Sequence, residues 1–171
     1  MTLRRILDGL YDAAGYLAAL FLVGTLAMVL VGIAGRLLHF HVPGTDAYAG
    51  YSMAAAGFLA LAHTLKRGEH IRVTLLIERL GPAGRRRVEL WALGVGVLLA
   101  ALFAYFSIRL AWQSYDFNDV STGNDATPLW VPQLSMAAGT LILLVALLDE
   151  LVRELRGTRR AVTHAEPRFN E

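Results

Sequence analysis

Four long apolar segments dominate this chain and fix most of what it can fold into. They cover residues 13–38, 47–65, 90–108 and 129–148. Each has about the length that an α-helix needs to cross a bilayer, roughly 20 residues, and none alternates like a half-buried strand. A chain of 171 residues that is 56% hydrophobic and only 18% charged cannot bury so much apolar surface in a soluble core. We therefore predict an all-α membrane protein with four transmembrane helices, forming one domain over residues 1–171.

The basic residues predict the orientation of these helices. Of the 16 Lys and Arg residues, only Arg36 and Arg109 lie at the boundaries that follow spans one and three. The others lie in the N-terminus, in the connection between spans two and three, or in the C-terminal tail. By the positive-inside rule, both termini are cytoplasmic. The sequence pI of about 9.2 is then a topology signal. Membrane lipid is a secondary contact for the basic clusters, and no nucleic-acid partner is expected.

Two amphipathic segments lie outside the apolar spans. Residues 3–10 and residues 73–80 each place apolar side chains at i, i+3, i+4 and i+7. The first precedes span one, and the second is ended by Gly81-Pro82, a strong helix stop. We predict two interfacial helices on the cytoplasmic surface, one at the N-terminus and one between spans two and three.

The spans lack the groups that chemistry or solute transport would need. Ionisable residues at mid-membrane depth are costly and usually mark a solute or proton path, but here the charged residues fall at span ends. The chain has no cysteine, which excludes disulfides, thiolate catalysis and Cys-ligated metals. We expect no enzymatic activity, no cofactor and no transport site within this chain. The charged residues at the span ends are Arg36, Asp46, Arg109, Asp149 and Glu150.

Small residues recur at helical spacing in spans two and three. Such residues let helices approach closely in lipid. Two interpretations stay open, ordinary packing within the four-helix bundle or a face kept for a partner. The residues are Gly50, Ala54 and Gly57 in span two, and Ala92, Gly96 and Ala100 in span three.

Histidines and acidic residues suggest metal or haem sites only weakly. His63 is the only histidine within a span, and a bis-histidine haem needs a second at the same depth. His39 and His41 lie beyond the opposite end of span one, and no third ligand accompanies them for a metal. The outer acidic loop 116–127 resembles a calcium loop, but Val120 stands at a ligand position, so a solvated loop is favoured.

The charged stretch after span two carries the most specific motif. The run Arg67-Gly68-Glu69-His70-Ile71-Arg72-Val73 resembles the Arg-x-Gly-x-His-Ile-type signature that follows the second span in the small membrane subunit (DctQ-like) of tripartite ATP-independent periplasmic (TRAP) transporters. The resemblance covers nearly the whole chain. Arg36 matches an arginine that ends the first span, Asp46 an acidic residue that opens the second, and residues 127–132 a Pro-containing approach to the fourth. Thr74 departs from this pattern, because an Asp is frequent there.

The resemblance implies a structural role within a larger machine. In that family a periplasmic binding protein captures an organic acid, such as a dicarboxylate or a sugar acid, and a large multi-span subunit moves it across the bacterial inner membrane with sodium. The small subunit resembles a scaffold without a transport site. The candidate partner-contact or structural residues are Arg36, Asp46, Arg67, Gly68 and His70.

Two other functions are alternatives to this one for a chain with four membrane helices. The first is a membrane anchor of a respiratory oxidoreductase associated with haem or quinone, which the missing second intramembrane histidine disfavours. The second is a stand-alone small channel, which the lack of a polar stripe along any span disfavours.

Overall fold

The fold consists of four helices in the part of the chain that the structure describes. This computed structural model describes residues 2–40, 42–67, 81–123 and 125–157. Within these ranges the only β-type pairing is an isolated bridge between Val120 and Pro128. The all-α prediction is confirmed for these residues. The helices are α1 (Thr2–Leu37), α2 (Thr45–Arg67), α3 (Pro82–Asp116) and α4 (Trp130–Leu155).

The helices pack in the spatial order α1–α2–α4–α3. α1 and α2 are antiparallel neighbours, because Gly15 faces His63 near one end and Gly32 faces Thr45 near the other. α2 and α4 form the centre of this layer, whereas α1 and α3 lie at its edges. The edge helices expose long rows of leucine, valine and aromatic side chains, as helices in contact with lipid do.

Three of the four helices are long and apolar enough to cross a membrane: α1 from Arg4, α3 from Gly84, and α4. The central helix α2 is not among them, although its 23 residues span about 35 Å at 1.5 Å per residue. Its sequence includes Tyr48, Tyr51 and His63, which lower its hydropathy. A helix flanked by protein on two sides needs less apolar surface than one at an edge. The four-span topology therefore remains a prediction.

The N-terminal interfacial helix predicted from residues 3–10 is not a separate element. Residues 2–37 form one helix of 36 residues, and no proline interrupts it. Of its first apolar stripe, Leu7 packs on protein, whereas Ile6 and Leu10 are exposed. Tyr11 is buried with Ala62, Leu65 and Ala146, and Leu7 packs against that cluster. At 1.5 Å per residue, α1 is about 54 Å long, so it extends well beyond a hydrocarbon core of about 30 Å. The second predicted interfacial helix, residues 73–80, lies outside the described residues.

Candidate functional site

After the orientation predicted from the sequence, the end of the helices that carries the α1–α2 turn is called the outer end, and the opposite end the inner end. The outer end of α1 and α2 forms a recess that contains two of the sequence-predicted residues. Arg36 and Asp46 approach each other there, with 3.8 Å between Arg36 Nη2 and Asp46 Oδ1. Their side chains are 75% and 92% exposed, so the ion pair is loose and water-screened. The recess has a volume of about 370 Å³ and is lined by Val31, Gly32, Gly35, Arg36, His39, Phe40, Val42, Thr45 and Asp46.

The backbone of the α1–α2 turn sets the shape of this recess. Just after α1, His39 adopts the left-handed region (φ 57°), and the Phe40 N–H donates to the Gly35 carbonyl over 3.0 Å. That is the geometry of a helix C-cap, in which glycine is the usual residue. Gly44 is also left-handed (φ 80°), and its Cα hydrogen faces Asp125 so closely that a Cβ would lie 2.8 Å from the Asp125 Cβ.

Asp125 fastens the outer loop to α2. It accepts hydrogen bonds from Ser121 Oγ at 2.8 Å and from Tyr51 Oη at 3.1 Å, while Thr127 Oγ1 donates to Tyr48 Oη at 3.2 Å. Hydrogen bonds from Thr127, Ser121 and Tyr51 lower the pKa of Asp125 from 3.8 to about 2, against a smaller opposing effect of desolvation. The sequence predicts a solvated loop, whereas in the structure Asp125 is hydrogen-bonded to Tyr51 and thereby joins the loop to α2.

A second polar junction holds the inner ends of α1 and α2 together. Lys66 Nζ donates to both carboxylate oxygens of Asp12, at 2.9 and 3.0 Å, and to the Asp8 carbonyl at 3.3 Å. The imidazole of His63 lies beside them, with Nδ1 3.4 Å from Asp12 Oδ1. Its ring covers Gly15, where a Cβ would come within 2.8 Å of it. The His63 imidazole thus packs between α2 and α1.

Sequence reasoning missed this inner junction. Asp8 and Asp12 are spaced i, i+4, so they share one face of α1. Lys66 is the first cation after span two. In the predicted topology, this span returns the chain to the side of the membrane where α1 starts. That combination was a usable signal. Arg67 is the last residue of α2 and is exposed, next to the junction. Gly68 and His70 lie outside the described residues.

The small residues of α3 and those of α2 have different surroundings. Ala92 is exposed, whereas Gly96 faces Leu147 of α4 and Ala100 begins a buried row of small residues along α3. That part of the pattern is ordinary packing within the chain. On α2, by contrast, a Cβ added at Gly50 or Gly57 would have nothing within 4 Å, and Ala54 between them is exposed. We call Gly50, Ala54 and Gly57 the open face of α2.

Some hydroxyls within the helices are satisfied locally, whereas the buried Ser107 Oγ and Tyr11 Oη have no hydrogen-bond partner among the described residues. Thr140, which is fully buried, donates to the carbonyls of Met136 and Ala137 in its own helix. Thr25 does the same to Phe21. Among the residues described, no three His, Asp or Glu side chains gather as a set of metal ligands.

Besides His63, His39 is the only histidine among the described residues, and it lies far from His63. His39 follows the outer end of α1, whereas His63 lies near the inner end of α2. Because α1 and α2 run antiparallel along their length, these two imidazoles belong to opposite ends of the layer. The oxidoreductase-anchor alternative gains nothing from this arrangement.

Comparison with known proteins gives one informative result. Curated proteins give no match to this chain. The sequence profile of a family described as "Tripartite ATP-independent periplasmic transporters, DctQ component" matches residues 25–157, well over half of the chain. The match runs from the middle of α1 to the end of α4 and includes both connections that the structure describes. This chain therefore belongs to the DctQ family, the small membrane component of TRAP transporters.

Proposed function

We propose that this chain is a non-catalytic scaffold for the large sodium-coupled subunit of a TRAP transporter that moves organic acids. The open face of α2 is the observation that carries the proposal. In a bilayer, helices associate where small residues allow close backbone contact. Gly50, Ala54 and Gly57 offer such a place on a helix whose other sides are already packed within the chain. A transmembrane helix of the large subunit is the partner of that face.

Charge distribution supports an orientation with both termini in the cytoplasm of a bacterial inner membrane. Lys66 joins the end of α2 to the start of α1, and Arg86 Nη2 donates to the Leu155 carbonyl, joining the start of α3 to the end of α4. These contacts bring the basic ends of the helices together on one side. The positive-inside rule assigns that side to the cytoplasm. Residues 1–171 then act as one four-helix membrane domain.

The opposite end of the layer is the surface proposed for the periplasmic binding protein. It consists of the recess at Arg36 and Asp46 and the loop fixed by Asp125. A surface held by hydrogen bonds loses little entropy when it binds, so a tied loop suits a docking role better than a free one. Arg36 and Asp46 are exposed and only loosely paired, which leaves both charges accessible to a partner.

Arg67, Gly68 and His70 are proposed to form the inner turn that leads out of α2. Replacing Gly68 or His70 is expected to lower the yield of the transporter complex while leaving membrane insertion intact. Normal complex yield and transport in both variants would remove these residues from the site.

Co-purification from the native membrane in a mild detergent tests the scaffold role. The expected result is a stable complex with a much larger multi-span protein, and no organic-acid uptake by this chain alone in liposomes. Ala54→Leu should lower complex yield, because the added side chain fills the open face. Ala27→Leu is the matched control, since Ala27 lies on the exposed side of α1. Isolation without a large partner, or equal yields from both variants, would contradict the proposal.

A further inference from the structure

Helix α3 has two faces of opposite character. One carries only small side chains and is buried. The other points away from the chain and is formed by large ones, spaced at i, i+4 and i+7 so that they share one side of the helix. We call the second the outward stripe of α3. The buried residues are Ala100, Ala104, Ser107, Ala111 and Ser114, and the outward stripe consists of Leu98, Leu102, Tyr105, Arg109, Trp112 and Asp116.

Two opposite charges of the outward stripe have no partner within the described chain. Arg109 and Asp116 are both exposed, and neither makes a hydrogen bond or ion pair with another described residue. Seven positions separate them, a rise of about 10 Å along the helix, which is too far for a direct pair. Three of the four side chains one turn away from Arg109 are aromatic and exposed (Tyr105, Phe106 and Trp112), and the fourth, Gln113, is polar but makes no hydrogen bond to Arg109. A cation in such surroundings needs an anion from outside the chain.

The depth of Arg109 identifies the level of that anion. Arg87 is the last basic residue at the inner end of α3, and Arg109 follows 22 residues later, a rise of about 33 Å. The hydrocarbon core of a bilayer is about 30 Å thick. Arg109 therefore lies at the outer edge of the hydrocarbon, level with the phosphates of the outer leaflet. Trp112 lies one turn further out, where interfacial tryptophans are common.

We propose that the outward stripe of α3 binds the headgroup of an outer-leaflet aminophospholipid, such as phosphatidylethanolamine. The phosphate pairs with the Arg109 guanidinium, and the primary ammonium donates to the Asp116 carboxylate further out. The acyl chains run inward along Leu98, Leu102 and Tyr105. A lipid fits this stripe better than another helix, because it has no Gly, Ala, Ser or Thr at which a second backbone could approach. This lipid site rests on the orientation proposed above, with both termini cytoplasmic, but not on the scaffold role.

Quenching of a single tryptophan by brominated lipid tests the proposal. Trp91→Phe and Trp130→Phe leave Trp112, the third of the three tryptophans, as the only one. The full chain is placed in phosphatidylcholine nanodiscs that contain a minor fraction of a lipid brominated near the carboxyl end of one acyl chain. Brominated phosphatidylethanolamine, phosphatidylglycerol and phosphatidylcholine are compared. Phosphatidylethanolamine should bind roughly fivefold more strongly than phosphatidylcholine, which is about 1 kcal/mol, the upper end for an exposed ion pair.

Variants of the two charges separate this site from a general interfacial effect. Arg109→Gln and Asp116→Asn should each remove the preference, whereas Arg109→Lys should keep most of it. Arg36→Gln, at the other outer arginine, is the matched control and should leave it unchanged. Circular dichroism confirms that each variant is folded. Equal quenching by all three lipids overturns the proposal. So does stronger quenching by phosphatidylglycerol that is unchanged in Asp116→Asn. Loss of a large protein partner from Arg109→Gln, with unchanged lipid quenching, overturns it in favour of a protein carboxylate.

Discussion

Replacing Gly139 by alanine should weaken the central contact of the fold, where α4 crosses α2. A Cβ at this position would lie 2.6 Å from the carbonyl carbon and oxygen of Phe58 and 2.8 Å from its Cβ. The obstacle is backbone, so no side chain can rotate away. The helices must separate until the contact reaches at least 3.4 Å, the start of ordinary van der Waals contact.

The size of the effect follows from that separation. A radial gap of 0.5–1 Å forfeits roughly a quarter to a half of the dispersion energy of each contact it opens. Overpacking of this kind typically costs about 1–3 kcal/mol. The gain in helix propensity from Gly to Ala, about 1 kcal/mol, offsets part of this cost. We expect a net loss of stability of up to about 2 kcal/mol.

Gly57→Ala provides the matched control for this prediction. It is the same substitution one position before Phe58 in the chain, but a Cβ there has nothing within 4 Å, so only the propensity gain remains. Both variants would be unfolded with increasing SDS in mixed micelles, with helicity followed by circular dichroism. Gly139→Ala should unfold at lower SDS than the parent, and Gly57→Ala at equal or higher SDS. If Gly139→Ala is as stable as Gly57→Ala, the close approach of α2 and α4 at this point is refuted.

Three further outcomes follow from the polar contacts and the turn. Asp125 has a folded pKa of about 2 against 3.8 for a free carboxyl, so its contribution to loop anchoring should be complete above pH 4 and be lost as pH falls towards 2. Asp125→Asn should increase protease cleavage of the outer loop at neutral pH. Unchanged cleavage would count against the contact between this loop and α2. Lys66→Met should lower the thermal midpoint, since Asp12 loses its hydrogen-bond donor, and the deficit should shrink in Lys66→Met/Asp12→Asn; a single variant as stable as the parent contradicts the junction. His39→Gly should stabilise the α1 C-cap by up to about 1 kcal/mol, because glycine accepts a positive φ freely, and a lower thermal midpoint than that of His39→Ala would contradict this.

Helix identity could be predicted from the sequence because the apolar runs are long and uninterrupted. Spans two and four agree with α2 and α4 to within a few residues at most ends. Helices α1 and α3 are longer than spans one and three, because the apolar pattern ends where charges begin, whereas the helices continue through Arg4, Arg5 and Asp8 at one edge and through Arg85 to Arg87 at the other. Charged residues such as Arg and Glu have good helix propensity, so charge limits where a helix leaves the membrane without ending the helix itself.

Which helices are neighbours could not be predicted, and most of the site depends on it. The sequence placed Arg36 and Asp46 on the same outer side, and their approach follows from the short turn between α1 and α2. The tie between Asp125 and Tyr51 joins residues 74 positions apart, and it forms only because α4 packs on α2. Small residues marked both α2 and α3 as packing surfaces, but only the spatial order α1–α2–α4–α3 shows that one set is used internally and the other remains open.

The distribution of polar contacts fits the proposed scaffold role. A scaffold must keep its shape while its partner moves, and in this chain both ends of α2 are held by polar contacts. Lys66 and Asp12 hold its inner end to α1, while Tyr51 and Asp125 hold its outer end to the loop before α4. Between these ties, Gly139 brings α4 against the α2 backbone. The helix that carries the open face is thus held at both ends and packed against α4 between them. A partner that docks on that face meets a surface that is already ordered.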